Sequence, residues 1–567
     1  MLVSTYSRDQ VKTRLPSPLA FDHAIAVVRL EGQPPLWLDA TRSLQRGAPA
    51  TRQSMGLGYG LIARAGTGEL DAMPAARDAL RSETSDTFRF PSLAEEGQFE
   101  SQTTYHGDMA EWLRGARAAW PEDELRKVLV GEIMRVYPSF TLDGPPQIEE
   151  VDGSNAVKVS LRFRTGSYWR FPEKRNLVGD FALLPLAVAL RLPNQTPRSE
   201  ATVVELPGRY LYRLRYEFGE DIFPQPSSSR FEERNEHFAL LMGYQGAVRW
   251  QQIDGELRLL ADSIAAGAWT RYRDQLNKVL PRLANVLSIP ALPPGSLPVL
   301  RKDLTELAEQ MRRGSVRVVT EEQAAARSRL LVADRVLAAG RLQPKLRAQM
   351  LVERAVQLDH LGMGDAALGS LEDALKLDAS QSEIHEALAV NALMRRDDTR
   401  ARGHADRALQ LSPNSIAPRY TRAWANFFAG ELQPAREELK DILQSGTEVE
   451  RSYGSIWLYL VTRRLGDEAA ANAVPMPANS QPPWPYAVLQ LMRGKLDLDA
   501  ALTHAREDAR TRLGRECELY FYAGQKALLD RDLDRARSYL RKSVDTGVVE
   551  FNEYAMAKRE LERIGTR

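Results

Sequence analysis

The sequence predicts a multidomain α+β protein: a β-rich front half followed by an α-solenoid. Three observations predict it. Stretches of the first half alternate apolar and polar residues with the period of a half-buried strand. A proline-dense segment, Pro290 to Pro298, interrupts the chain. Beyond it, alanine positions recur every 34 residues.

At the N-terminus, Ala24 to Leu30 is apolar enough for a buried strand. Gly32 to Pro35 reads as a turn, because Pro34 and Pro35 cannot continue a hydrogen-bonded ladder. Leu36 to Thr41 then returns as the second strand of a hairpin. His23 stands at the start of the first strand and Asp39 near the end of its neighbour, where the two can face each other. An imidazole held by a carboxylate is two thirds of a nucleophilic triad. Gly56, Gly58 and Gly60 alternate with Leu57, Tyr59 and Leu61. With no Gly-Lys-Ser/Thr after them, they read as a glycine-tolerant strand edge and not as a phosphate loop.

In the middle of the chain, Met109 to Val136 reads as one or two helices broken at Pro121. Val157, Val159, Leu161 and Phe163 alternate with charged or polar neighbours, and so do Tyr210, Tyr212, Leu214 and Tyr216. Asp254-Gly255 predicts a hairpin turn, and Ala265 to Leu287 a helix. Together these predict a sandwich-like β domain with flanking helices.

The helical part repeats. Ala367, Ala401 and Ala435 are 34 residues apart, as are Ala374, Ala408 and Ile442. Ala355, Ala389 and Ala423 fill a third small-residue position, and Gly362, Arg396 and Gly430 share one turn position. Small residues let the two helices of a hairpin approach closely. This is the tetratricopeptide pattern, and it predicts roughly five or six hairpins between Arg341 and Gly565, with the period loosening after Leu443 and Phe551 to Ile564 as a closing helix. The expected domains are 1–75, 76–289 (β-rich), 290–340 (linker and lead-in helices) and 341–567 (repeats).

Lys plus Arg is 76 against 75 Asp plus Glu, a net charge of +1. No global field favours nucleic acid or an anionic membrane. No apolar run is long enough to span a bilayer, and Met1 to Ala20 carries charges where a signal peptide needs an apolar core. The one cysteine, Cys517, rules out an intrachain disulfide and any multi-thiolate zinc site. No cofactor is expected. The histidines are scattered, with no two spaced by one helical turn.

The run Phe21-Asp22-His23-Ala24-Ile25-Ala26-Val27-Val28-Arg29-Leu30, then Trp37-Leu38-Asp39-Ala40-Thr41, then Gly66-Thr67-Gly68-Glu69-Leu70-Asp71-Ala72-Met73-Pro74, resembles the tail of a transglutaminase-like domain of the papain-like cysteine fold. The resemblance is most specific to a bacterial multidomain family with flanking β domains of unknown function, in some members followed by tetratricopeptide repeats. It implies that His23 is a general base, that Asp39 orients it, and that a cysteine upstream attacks a carboxamide or peptide carbonyl before an amine or water completes acyl transfer. It also implies periplasmic or envelope-associated full-length relatives. Here residues 1 to 22 hold no cysteine, and Ser4, Ser7 and Ser17 lie in a Pro-interrupted stretch. The expectation is therefore a chain that starts inside that domain, after the expected Cys, and is inactive alone. The alternative is a non-catalytic scaffold with a vestigial hairpin.

The repeat groove is the expected partner surface, with Tyr420, Asn426, Tyr453 and Tyr459 as candidate contacts for a protein or peptide. The tryptophans are spread over several elements and read more readily as core than as carbohydrate platforms; Trp169, between Tyr168 and Arg170, is the first to test as a platform.

Overall fold

A computed structural model describes residues 1–13, 15, 17–49, 56–74, 78–190, 202–204, 207–475 and 484–565. The expected boundary at 75/76 lies outside them. The chain divides into two compact units, Met1–Pro294 and Gly295–Arg567.

The first unit opens with short strands: β1 (Leu2–Val3), β2 (His23–Ala24), β3 (Ala26–Val28), β4 (Leu36–Leu38), β5 (Tyr59–Leu61) and β6 (Leu70–Ala72). Four form a sheet in the order β2-β1-β5-β6, while β3 and β4 make an antiparallel hairpin that pairs Val27 with Trp37. A small core of Val3, Ile25 and Met73 holds them together. Gly60 pairs with Val3, and a Cβ there would lie 2.9 Å from the Val3 side chain, so this strand needs its glycine.

Next come β7 (Leu80–Phe90), β8 (Gln98–His106), α1 (Asp108–Ala119), α2 (Glu122–Val136), β9 (Thr141–Leu142), β10 (Gln147–Val151), β11 (Ala156–Arg164), β12 (Asn176–Ala182), α3 (Leu184–Ala189) and β13 (Thr202–Val203). They are followed by β14 (Gly208–Phe218), β15 (Ser227–Arg234), β16 (Phe238–Ala247), β17 (Trp250–Leu259), β18 (Ser263–Ile264), α4 (Trp269–Leu283) and β19 (Ala284–Pro290). A nine-stranded sheet runs β10-β11-β8-β7-β14-β17-β16-β15, with β9 added beside β11. Its pairs are antiparallel except β7 with β14. The period of two decides its faces. Phe88, Tyr216 and Leu214 point inward and are buried, and Phe88 stacks on Tyr216 at 4.6 Å. Arg213 and Asp254 pair on the other, solvated face at 2.8 Å.

Three expectations change here. The domain is not a sandwich: among the described residues the apolar face is covered by helices, loops and a two-stranded ribbon. Tyr137, Phe140 and Tyr168 pack on Phe88. Tyr168 bonds Asp180 on β12, which pairs with β19, and Tyr272 of α4 meets Phe238. Asp254-Gly255 is not a turn. It lies inside β17, and the chain reverses instead after Ala247, which pairs with Trp250. The glycine is there because a Cβ would sit 2.8 Å from Leu186 of α3. Finally, the helix expected to reach Leu287 ends at Leu283, because the residues after it supply β19.

The second unit holds α5 (Leu297–Arg312), α6 (Glu321–Ala339), α7 (Pro344–His360), α8 (Gly364–Leu377), α9 (Ser382–Met394), α10 (Asp398–Leu411), α11 (Ala417–Ala429) and α12 (Leu432–Ser445). Beyond these lie α13 (Glu448–Arg464), α14 (Glu468–Asn472), α15 (Tyr486–Met492), α16 (Leu498–Ala505), α17 (Arg512–Leu529), α18 (Leu533–Asp545) and α19 (Asn552–Gly565). Among the described residues, α7 to α18 form consecutive helical hairpins closed by α19. The repeated alanines are the contact points: Ala367, Ala401, Ala435 and Ala389 are all fully buried. The period loosens where α14 shrinks to 5 residues and α15 to 7.

Each hairpin turn uses a left-handed residue: Gly362 (φ 72°), Arg396 (φ 68°), Gly430 (φ 86°) and Arg531 (φ 60°). After Arg396 and Arg531, Asp397 and Asp532 cap the next helix. Only glycine adopts this conformation without steric cost. Gly430→Ala, which meets no neighbouring atom, should therefore lower stability by about 1 kcal/mol. Arg396→Gly should raise it by up to ~1 kcal/mol, since its ion pair with Glu562 is exposed. Urea denaturation of the full chain checks both; equal and unchanged midpoints would contradict the account.

Candidate functional site

Two places concentrate chemistry, one in each unit. In the first unit, β2 brings His23 beside Asp39, just after β4. His23 Nε2 lies 2.8 Å from Asp39 Oδ2. The His23 side chain is 24% exposed and the Asp39 side chain 8%. Burial pushes the Asp39 carboxyl up, but the Thr41 hydroxyl and amide and the His23 ring outweigh it, so the net shift is downward. Thr41 donates to Asp39 Oδ1 from both its amide (2.9 Å) and its hydroxyl (2.6 Å). The carboxylate is thus fixed on one oxygen and holds the imidazole with the other. With Nε2–H donated to Asp39, Nδ1 is left as the nitrogen that can accept a proton from a third group.

Cys517 cannot be that group. It is fully buried in α17, and its sulfur contacts the Ser543 hydroxyl at 3.3 Å. Burial, reinforced by the charges of Glu553 and Glu518, pushes its thiol up to about 12.

In the second unit a groove of about 340 Å³ runs across the first helices of successive hairpins. Tyr420 and Trp424 come from α11, Tyr453 and Trp457 from α13, and Phe551 from the residue just before the closing helix. A second cavity of about 290 Å³ abuts it and shares Tyr453, Glu518, Glu550 and Phe551. Tyr420 and Tyr453 are 33 positions apart, as are Trp424 and Trp457, so the repeat itself aligns these rings. Trp424 and Trp457 lie 5.9 Å apart.

The floor is acidic. Glu518 accepts hydrogen bonds from Tyr453 Oη (2.8 Å) and Trp484 Nε1 (2.7 Å). Glu553 accepts one from Tyr522 Oη at 3.2 Å. Burial, with the charge of Glu553 added, pushes Glu518 up to about 8, and burial raises Glu553 as well.

The other candidates fall elsewhere. Asn426 is buried and accepts from Arg402 at 3.4 Å. Tyr459 is buried and donates to the Met492 carbonyl. Both lie inside the helix packing, because their positions turn them away from the groove. Trp169 is 1% exposed and packs on Phe90 in the sheet core, which removes it as a carbohydrate platform. Sequence spacing missed one pairing: His385 and His404, on the two helices of one hairpin, meet Nδ1 to Nδ1 at 3.1 Å. Their separation of 19 residues gives no one-turn signal; only the folded hairpin joins them. Among the described residues no group of three or more His, Cys, Asp or Glu is placed to hold a metal ion, and no helix is long and apolar enough to cross a membrane.

No family model matches the chain. Among solved structures it is similar to a tetratricopeptide repeat protein from Parabacteroides merdae, at 15% identity over 47% of this chain and 99% of that one, TM-score 0.28. It is also similar to PilW, a type IV pilus biogenesis factor (16% identity, 46% and 97% covered, TM-score 0.26). A third is PilF of Pseudomonas aeruginosa (18%, 38% and 99%, TM-score 0.24). At such TM-scores the repeat assignment rests on the hairpins and their buried alanines, and the transglutaminase-like expectation gains no support.

Glu518 gives a signed prediction. A carboxyl raised from 4.5 to about 8 in the folded state contributes stability below the unfolded value and loses it as pH climbs through that window. Wild-type stability should fall more steeply between about pH 5 and 8 than that of Glu518→Gln. Thermal melts across that range check this; parallel curves would contradict it.

Proposed function

We propose that this chain is a non-catalytic tetratricopeptide-type scaffold whose groove captures an extended segment of a protein partner, with the front hairpin a vestige of a transglutaminase-like domain. The observation that carries this is the aligned aromatic groove over α11, α13 and the start of α19. Buried tryptophan and tyrosine in a concavity are the side chains that dominate protein recognition, and repeat solenoids present such concave surfaces for elongated ligands. A photo-crosslinking amino acid at Trp424 should trap a discrete partner species that the same group at Lys440, on the second helix of its hairpin, does not. Equal crosslinking at both positions would sink the reading.

A second reading is favoured by the 2.8 Å contact of His23 with Asp39. In it, 1–75 is the tail of a transglutaminase-like domain, His23 is the base and Asp39 the orienting carboxylate. The nucleophile would be a cysteine presented to Nδ1. Its sulfur would attack an amide carbonyl, expel the amine with the proton held by His23, and leave a thioester for an amine or water to resolve. Cys517 supplies no such sulfur. An amidase assay on this chain should be negative, and iodoacetamide should label Cys517 only after denaturation. Turnover, or rapid labelling of the native chain, would overturn that assignment.

A further inference from the structure

The groove carries more than a place to bind: its charges say what enters. Four carboxylates line the larger cavity, from Glu450, Glu518, Glu550 and Glu553, and no basic residue does. Glu518 and Glu553 are 4% and 7% exposed. Their hydrogen-bond donors are neutral phenols and an indole. Glu550 is held by neutral groups too, the Thr320 hydroxyl and the Gln323 amide. Among the described residues none of the four is ion-paired with Lys, Arg or His. The cations of the abutting cavity are Arg510 and Arg515. Arg515 lies over the Trp484 ring at 5.1 Å, and its field offsets the Glu518 environment less than burial and Glu553 burden it.

Burial drives these carboxyl groups toward their protonated form, and a cation that fits between them favours their ionisation and pairs with the charge. A metal ion does not fit, because the described residues hold no cluster with ligand geometry. The walls indicate an organic cation. Tyr453, Trp457 and Phe551 offer apolar faces to the stem of a long side chain and a ring quadrupole to its head. A separate observation indicates that the cation belongs to a peptide. Trp424 Nε1, in the wall of the same groove, is shielded from water and has no acceptor. A buried N–H without a partner is costly. Trp424 as a whole is only partly buried, and a small turn of its ring toward the groove would set this N–H against a backbone carbonyl of an extended segment.

We infer that the groove selects a basic segment of its partner: an extended peptide that sets a lysine or arginine side chain against Glu518 and Glu553 and a backbone carbonyl on the Trp424 indole. This rests on the scaffold reading and names its ligand. An acidic segment finds no cation among the lining residues of this cavity, and a purely apolar one leaves its four carboxyl groups without a partner of opposite charge.

The full chain is tested by panning it against a random displayed pool of peptides about twelve residues long. Enriched peptides should share a Lys or Arg at one position. Replacing that residue by Gln in the synthetic peptide should weaken binding to the wild-type chain by about tenfold or more. Glu518→Gln with Glu553→Gln, an isosteric and uncharged pair, should erase that preference. Trp424→Phe, which keeps a ring and deletes only the N–H, should weaken every selected peptide. Far-UV circular dichroism confirms that each variant is folded, and the peptide-side change tests selectivity on an unaltered protein. Selected peptides that are acidic, or that bind as well with Gln in place of Lys, overturn the basic-segment inference while leaving a peptide groove. No enrichment, or binding indifferent to Trp424→Phe and to the double variant, overturns the groove reading with it.

Discussion

The second unit is built around two carboxyl groups, of Glu518 and Glu553, kept out of water without a countercharge. Glu518 and Glu553 lie at the floor of the groove where α17 and the start of α19 meet. Their presence there runs against folding, since each costs free energy that an apolar residue would not. The surrounding phenols, the Trp484 indole and the packing of small residues in the repeats carry that cost. Glu560, fully buried about two helix turns beyond Glu553, shows the contrast: it is paired with Arg464 and Arg563. Within one helix, therefore, one acid has its countercharges and another is left open to the groove.

The helical half was the most legible part of the sequence. Its signal is geometric, since close helix approach requires small side chains at fixed intervals, and Ala367, Ala401 and Ala435 report that requirement directly. The turn position was legible as well, although two arginines occupy it where glycine would be easier. The alternating strands of the large sheet were readable for the same reason. The side-chain period of a strand is fixed, so Val157 to Phe163 and Tyr210 to Tyr216 declare a buried face.

What the sequence hid was set by contacts distant along the chain. Asp254-Gly255 looks like a hairpin turn because turns use those residues, but this glycine answers a close approach from Leu186. Nothing local separates the two causes. The cover of the sheet could not be read because a ribbon and helices replace a second sheet only in three dimensions. In the groove, Tyr420 and Tyr453 were readable as tyrosines of first helices. Glu518 and Glu553 were not, because one sits two hairpins further on and the other in the closing helix. Asn426 and Tyr459 had the same local signal as Tyr420 and Tyr453 and differ only in helix phase. The His23–Asp39 contact was visible because the two residues flank one short hairpin, His23 just before its first strand and Asp39 just after its second.

Hydrogen exchange on the full chain, with and without a selected lysine-bearing peptide, tests the central claim most directly. The account predicts protection confined to α11, α13, the middle of α17 and the start of α19, with α10, α12 and the sheet unit unchanged. Protection on the second helices or on the sheet, with the groove helices unaffected, would contradict it.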